Sequence, residues 1–276
     1  MRTLAHISDL HFGTEQPAVA QGLLDDLLEI KPDLVVNSGD LTQRARVRQF
    51  MAARAFMNRI PFPQLTVPGN HDIPFYDVMM RFFSPLARYQ HYISRDLAPR
   101  FQTNEFFVLG VNTARSATWK NGRISVEQIS EIRETLCALP FTQFKVLVTH
   151  HPFVPPPDDP SPALVGRGPE AMDVLDACGA DLLLAGHLHR HYNADAKTHH
   201  VRIKRTILVA QAGTAISHRR RKEPNAYNLI TLIPPQVEIQ VRAWTGKKFE
   251  PLTAVQYQKI ENAWTRKETP GAAGSS

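Results

Sequence analysis

Little in this 276-residue chain points outside the cell or into a bilayer. It has only two cysteines, Cys137 and Cys178, too few for a disulfide-stapled scaffold. Both fall in helix-like segments, so free thiols in a reducing, cytoplasmic setting are expected. No run approaches the roughly 18 consecutive apolar residues of a membrane span. The chain enters Thr3-Leu4-Ala5-His6-Ile7 without an apolar leader, so no secretory signal is expected. There is no internal repeat.

What remains is an ordinary globular composition, 43% hydrophobic and 21% charged. The formal charge of +6 favours anionic partners. Part of that excess is a compact run, Arg219-Arg220-Arg221-Lys222. A solvated loop is the simpler reading of it; a phosphate- or anionic-lipid-facing patch at the periphery is the other.

Hydrophobic periodicity predicts alternating strands and helices over the first two-thirds. Residues 3 to 8 read as a strand, Gln16 to Ile30 as an amphipathic helix, and Leu34-Val35-Val36 as a buried strand. Thr42 is expected to cap a helix over about 43 to 59. Leu65-Thr66-Val67, Phe106 to Val111, Val146 to Thr149 and Asp181 to Ala185 are further strands. Ser125 is expected to cap a helix to Leu139, and 169 to 178 is helical. Val201 to Ile203, Thr206 to Gln211, Ala226 to Leu232 and Gln236 to Val241 suggest an antiparallel sheet packed on the first. A helix is expected over 255 to 264, and disorder from Gly271 to Ser276. The fold class is α/β: two mixed sheets flanked by helices, a four-layer αββα sandwich. It forms one domain over 1–250 with a C-terminal extension, partly disordered, over 251–276. The aromatic-rich stretch 73–100 reads as packing of an irregular insertion or as a wall of the site. The proline-rich loop 154–169 is stiff and is expected to overhang the site.

The chemistry-bearing residues cluster where strands end. Asn37-Ser38-Gly39-Asp40 follows the buried run 34–36, and Gly39 lets the backbone turn closely beneath Asp40. Asp9 and His11 end the first strand; at i and i+2 of an extended chain they face one side. Pro68-Gly69-Asn70-His71-Asp72, His150-His151 and Gly186-His187-Leu188-His189 repeat the arrangement. In layered α/β sheets, sites form beyond the carboxyl ends of the strands. Any one of these residues alone is uninformative; five segments in series are not.

Asp9-Leu10-His11, Gly39-Asp40, Gly69-Asn70-His71-Asp72, His150 and Gly186-His187-Leu188-His189 together resemble the calcineurin-like metallophosphoesterases. Those read D-x-H, G-D, G-N-H-[DE], H and G-H-x-H, and the likeness is greatest to bacterial class III cyclic-nucleotide phosphodiesterases. The resemblance spans about residues 3 to 213. It implies one metal held by Asp9, His11, Asp40 and His189, and a second by Asp40, Asn70, His150 and His187. It also implies attack by a metal-bridging hydroxide, and it selects His150 over its neighbour His151. Mixed His/Asp/Asn donors suit divalent Mn, Fe, Zn or Co rather than calcium. Two ions roughly 3.5–4 Å apart need a shared carboxylate, which Asp40 supplies. His71 is expected as general acid or as donor to a phosphate oxygen, with Asp72 orienting it. Gln43 stands where purple acid phosphatases have a tyrosine ligand, and Gly39-Asp40-Leu41-Thr42-Gln43-Arg44-Ala45 lacks the protein-phosphatase G-D-x-x-D-R-G pattern.

The expected activity is hydrolysis of a small or lipid-linked phosphate diester, of cyclic-nucleotide or glycerophosphodiester type. A DNA exonuclease-like relative is the alternative, but about 30 residues of tail are too few for a DNA-capping domain, so no nucleic-acid partner is expected. A metal-free binding module on the same fold is the other alternative, and the full ligand set argues against it.

Overall fold

The computed structural model describes residues 1–156, 164–196, 204–220, 223–261 and 263–267. The centre of the proline-rich loop, the expected strand Val201 to Ile203, Arg221 and Lys222 of the basic run, and the expected disordered tail lie outside the described residues.

The first half alternates as its periodicity predicts: β1 (Arg2–Ile7), α1 (Pro17–Ile30), β2 (Leu34–Asn37), α2 (Val47–Met57) and β3 (Gln64–Thr66). Two short helices follow, α3 (Val78–Phe83) and α4 (Ala87–Tyr92), then β4 (Arg100–Gln102) and β5 (Phe106–Gly110). Next come α5 (Val126–Cys137), β6 (Phe144–Val148), α6 (Gly168–Ala177) and β7 (Leu182–Ala185). The remainder is strand: β8 (Tyr192–Asp195), β9 (Leu208–Gln211), β10 (Ala226–Ile233), β11 (Gln236–Trp244), β12 (Phe249–Ile260) and β13 (Ala263–Arg266).

Two mixed sheets result, in the orders β13-β12-β11-β10-β1-β2-β3 and β4-β5-β6-β7-β9-β8. Strand parity builds the layers. On β1 and β2, Leu4, Leu34 and Val36 face a core shared with Val108, Val146, Val148 and Leu184 of the other sheet. The alternate residues Ala5, Ile7 and Val35 face α1, α2 and α4. Phe107, Leu109, Leu147 and Leu183 face α5 and α6 in the same way. The expected four-layer αββα sandwich is the fold. No helix among the described residues is long and apolar enough to cross a membrane.

Several expectations are corrected. The C-terminal strands are not a second sheet packed on the first: β10 pairs antiparallel with β1 and extends that sheet, while β9 joins the other sheet beside β7. The helix expected over 255–264 is β12 and β13, so the segment beyond 250 continues the sheet. Its side chains are mostly exposed on an edge ribbon, so they show no apolar alternation to read. Thr42 does not cap α2: its hydroxyl bonds Asp72, the His71 carbonyl and Ala45 N, and the helix begins later at Val47. Ser125 does cap α5, accepting from Gln128 N. Cys137 and Cys178 are not free thiols but a disulfide across the ends of the neighbouring helices α5 and α6. That removes the thiol argument for a reducing compartment.

Candidate metal centre

Parallel strands β1, β2 and β3 of one sheet and β6 and β7 of the other end at one edge of the sandwich. The loops beyond them stay zipped. Asp9 N donates to Gly39 O at 3.0 Å, His11 N to Asp40 O at 3.0 Å, and Gly186 N to His150 O at 3.0 Å. His71 N on Asp40 Oδ1 and His187 N on Asp9 Oδ2 tie these pairs to each other and to the Asn70 turn, so all five motif segments meet.

How the ligands are aimed differs from the expectation. Asp9 and His11 do not alternate along an extended strand, because β1 ends at Ile7. Asp9, His11, Asp40, His187 and His189 have φ of 54°, 46°, 55°, 75° and 57°. They are five of the nine non-glycine residues with positive φ among the described residues. Such conformations cost about 1–3 kcal/mol each and persist where surrounding structure enforces them. Glycines make room for the same crossing. A Cβ on Gly69 would fall 2.1 Å from Asp40 Oδ1, and Gly39, with φ +108°, passes against the His150 ring.

Each aspartate has one oxygen held by protein and one left over. Asp9 Oδ2 accepts from Ser8 Oγ at 2.7 Å and from His187 N at 3.0 Å. Asp40 Oδ1 accepts from His71 N at 2.8 Å. Asp9 Oδ1, Asp40 Oδ2 and His11 Nε2 are buried without a hydrogen-bond partner. They face one another: His11 Nε2 is 3.5 Å from Asp9 Oδ1 and 3.7 Å from Asp40 Oδ2. Asp40 Oδ2 is also 3.4 Å from His150 Nε2, so one oxygen stands between two groups of donors. His189 stands beside the first group, its Nδ1 3.8 Å from Asp9 Oδ1 and bonded to Thr214 Oγ1 at 2.7 Å, which leaves Nε2 for a cation. Asn70 Oδ1, 3.2 Å from His150 Nε2 and 3.1 Å from His187 Nδ1, completes the second. Groups that could hold a cation are Asp9/His11/His189, Asp9/Asp40/His150 and His150/His151/His187. His151 is nonetheless engaged on both nitrogens, Nδ1 by Thr113 Oγ1 at 2.8 Å and Nε2 by Lys120 O at 2.9 Å. His150 keeps Nε2 for the site because Nδ1 bonds Ser38 O at 2.8 Å.

Electrostatics tell the same story. Burial opposes ionisation of Asp40, yet His150, His71 and His11 hold its pKa well below the usual range. Burial disfavours a charged His150, but Asp40 and then Asp9 outweigh it and raise its pKa to about 9. His187 and His189 are lowered to about 3 and about 4, chiefly by burial. Orphaned buried carboxylate oxygens cost several kcal/mol unless a cation meets them. The donor set and the three orphaned atoms therefore fit divalent metal.

Beside the cage opens a cavity of about 230 Å³ lined by Arg44, Asn70, His71, Phe75, Trp119 and Arg219, among others. His71 Nδ1 lies 2.8 Å from Gln43 O, and its Nε2 lies 2.8 Å from Arg219 Nη1. Burial first, then His11 and Arg219, lower its pKa to about 4 against the pull of Asp40. Asp72 does not orient His71. Its carboxylate accepts from Gly69 N, Leu41 N, Thr42 N and Thr42 Oγ1 at 2.9 to 3.2 Å, bracing the Asp40 turn against the Asn70 turn. Burial and then Asp40 push Asp72 up to about 6. The expected aromatic insertion splits. Tyr89 is core, donating to Thr66 O, whereas Phe75 lines the cavity. Sequence reasoning missed Arg44 and Arg219 as cavity residues. The signal was present for Arg219, the first residue of the basic run.

The family model described as calcineurin-like phosphoesterase matches residues 2–191. A glycerophosphodiester phosphodiesterase GpdQ of Enterobacter lignolyticus (strain SCF1) is 35% identical over 81 residues, 25% of this chain and 29% of that protein. A probable cyclic nucleotide phosphodiesterase of Vesicomyosocius okutanii subsp. Calyptogena okutanii (strain HA) is 22% identical over 68% of this chain and 78% of that protein. In fold, the chain resembles a dimetal phosphatase from Danio rerio, with TM-score 0.66 and 16% identity over 91% of this chain and 98% of that one.

Proposed function

This chain belongs to the calcineurin-like phosphoesterase family, and on that premise we propose that it is a dinuclear-metal phosphodiesterase acting on a small or lipid-linked phosphate diester. The observation that carries the reading is the orphaned oxygen of Asp40, which stands between the two donor groups. One ion would be held by Asp9, His11, Asp40 and His189, and the other by Asp40, Asn70, His150 and His187. Mn, Fe, Zn or Co fits these donors. When bound, such ions acidify water and draw charge from phosphoryl oxygens.

The chain's own residues do the rest. The ligand turns hold the donors before metal arrives, with Asp72 bracing two of them. Arg219 and Arg44 put guanidinium groups in the cavity where the non-bridging oxygens of a diester would sit. His71 donates Nδ1–H to Gln43 O and accepts from Arg219 on Nε2, so in place of its two expected roles, general acid or donor to a phosphate oxygen, we favour a positioning role that fixes Arg219. Phe75 and Trp119 offer an apolar wall to the organic part of the ester. The names of the two relatives, one a glycerophosphodiesterase and one a cyclic nucleotide phosphodiesterase, support a diester over a monoester. The test is a panel on metal-reconstituted protein: cyclic nucleotides, glycerophosphodiesters, lipid-linked diesters, monoesters and DNA. Diesters should exceed monoesters in kcat/KM; a preference for monoesters or DNA contradicts the reading.

A further inference from the structure

Helix α3, just past the Asn70 turn, is built inside out. Its one arginine, Arg81, points inward, 3% exposed, and donates to the carbonyls of Pro74, Ser116 and Thr118. The Arg81 guanidinium also lies 4.0 Å from the Trp119 ring centre. Val78, Met79, Phe82 and Phe83 are 56% to 78% exposed. Their i, i+1, i+4, i+5 spacing puts them on one helix face. Tyr76 and Trp119, 70% and 54% exposed, extend that face. Phe75 joins them, its ring 4.9 Å from Tyr76 and 4.7 Å from Trp119. Because Phe75 and Trp119 also line the cavity beside the metal centre, apolar face and site mouth are continuous. A contiguous exposed patch of this kind marks an interaction surface.

Charge selects the occupant. Arg44, Arg81, Lys120 and Arg219 line the cavity together with no acid, and the acid at the start of α3 is Asp77. Asp77 pairs with Arg88 at 3.2 Å. A second copy docked about a two-fold axis would bring these cations against one another. An anionic lipid surface takes both the apolar face and its cationic rim.

We propose that this face docks the protein on an anionic lipid surface, presenting the metal centre to phosphodiesters held there. This rests on the diesterase reading only for what is cleaved, not for the docking. The test uses the full-length, metal-loaded protein with phosphatidylcholine vesicles, with and without phosphatidylglycerol. The wild type should sediment with the anionic vesicles. The combined variant Met79→Ser/Phe82→Ser/Phe83→Ser, which touches neither cage nor cavity, should lower partitioning by at least about tenfold. The same variant should hydrolyse soluble bis(4-nitrophenyl) phosphate at the wild-type rate, which reports an intact fold and site. Docking is overturned if the wild type stays in the supernatant, or if the triple variant binds vesicles as well as the wild type. It is also overturned if the face proves to be sealed in a dimer that the triple substitution dissociates. If the wild type binds vesicles but cleaves no aryl diester, the diesterase reading falls and the docking surface stands.

Discussion

Strand β7 carries a buried acid or ligand at each end, and the two ends of the sandwich treat charge in opposite ways. Asp181, just before the strand, is saturated by protein. Its Oδ2 accepts from Lys145 N at 3.0 Å, and its Oδ1 from Lys259 Nζ at 2.6 Å and Trp264 Nε1 at 3.1 Å. These bonds tie the second sheet to β12 and β13 of the first. Nearby, Lys145 Nζ, fully buried, donates to the carbonyls of Leu136, Leu139 and Cys178 at 2.8 to 3.0 Å, capping the ends of α5 and α6. At the other end, Asp9 and Asp40 are just as buried but each keeps one oxygen without a partner. Structural charge is completed by the chain; site charge is left incomplete, toward a common point. That contrast separates a binding centre from a salt-bridge network more cleanly than residue type does, since both ends use Asp with basic or imidazole neighbours.

Removing charge at the incomplete end should give the largest functional effect. Asp40→Asn keeps the shape and should lower diester hydrolysis by about 10⁴-fold. Thermal melts of the metal-free protein above pH 9, where His150 is neutral, should show no loss of stability, because no protein cation is then abandoned; at pH 7 the stranded His150 imidazolium should make the variant less stable. The saturated end should behave in reverse. Asp181→Ala strips Lys259 and Trp264 of their acceptor and should cost about 3–5 kcal/mol in denaturant unfolding. Metal content should be unchanged, and a fall in it would blur the contrast. Between the extremes, Arg219→Met should lower kcat/KM by about 10²-fold, the scale of one lost charge-assisted contact in the transition state. His71→Ala should slow alkyl and aryl diesters equally. A selective loss on alkyl leaving groups would restore His71 as a proton donor.

Protons give the smallest and most graded effects. In the metal-free protein His150 has its pKa raised to about 9 and must shed its proton to bind metal. Metal affinity should therefore rise by up to about tenfold per pH unit from 7 toward 9 and then level off, with proton release visible by calorimetry in two buffers. His6 and His187, lowered to about 3, and His71 and His189, lowered to about 4, titrate in the opposite sense. The folded state binds fewer protons than the unfolded one between those values and the ordinary 6.5. Their share of stability is thus full above 6.5 and is lost as pH falls toward 4.

Much of this was legible in the sequence, for a physical reason. Buried strands followed by turns announce where a sheet ends, and the His, Asp and Asn residues at those turns announce the site. What sequence could not carry was how the backbone aims them. The left-handed turns at Asp9, His11, Asp40, His187 and His189 fall on residue types that tolerate that conformation, but the preference is too weak to read from sequence and the zipped loops enforce it. Asp72 reads as a partner for its neighbour His71 but bonds residues thirty positions away. Cys137 and Cys178 meet because two helices pack side by side. The inverted helix α3 was visible only as an aromatic-rich stretch, since nothing in Val78–Phe83 says which face is outside.

Counting metal per chain tests the centre most directly. Elemental analysis of reconstituted protein should find two equivalents in the wild type and one or fewer in Asp40→Asn, because both ions share that carboxylate. Two equivalents retained by Asp40→Asn, or none bound by the wild type, would contradict a cage built around a shared aspartate.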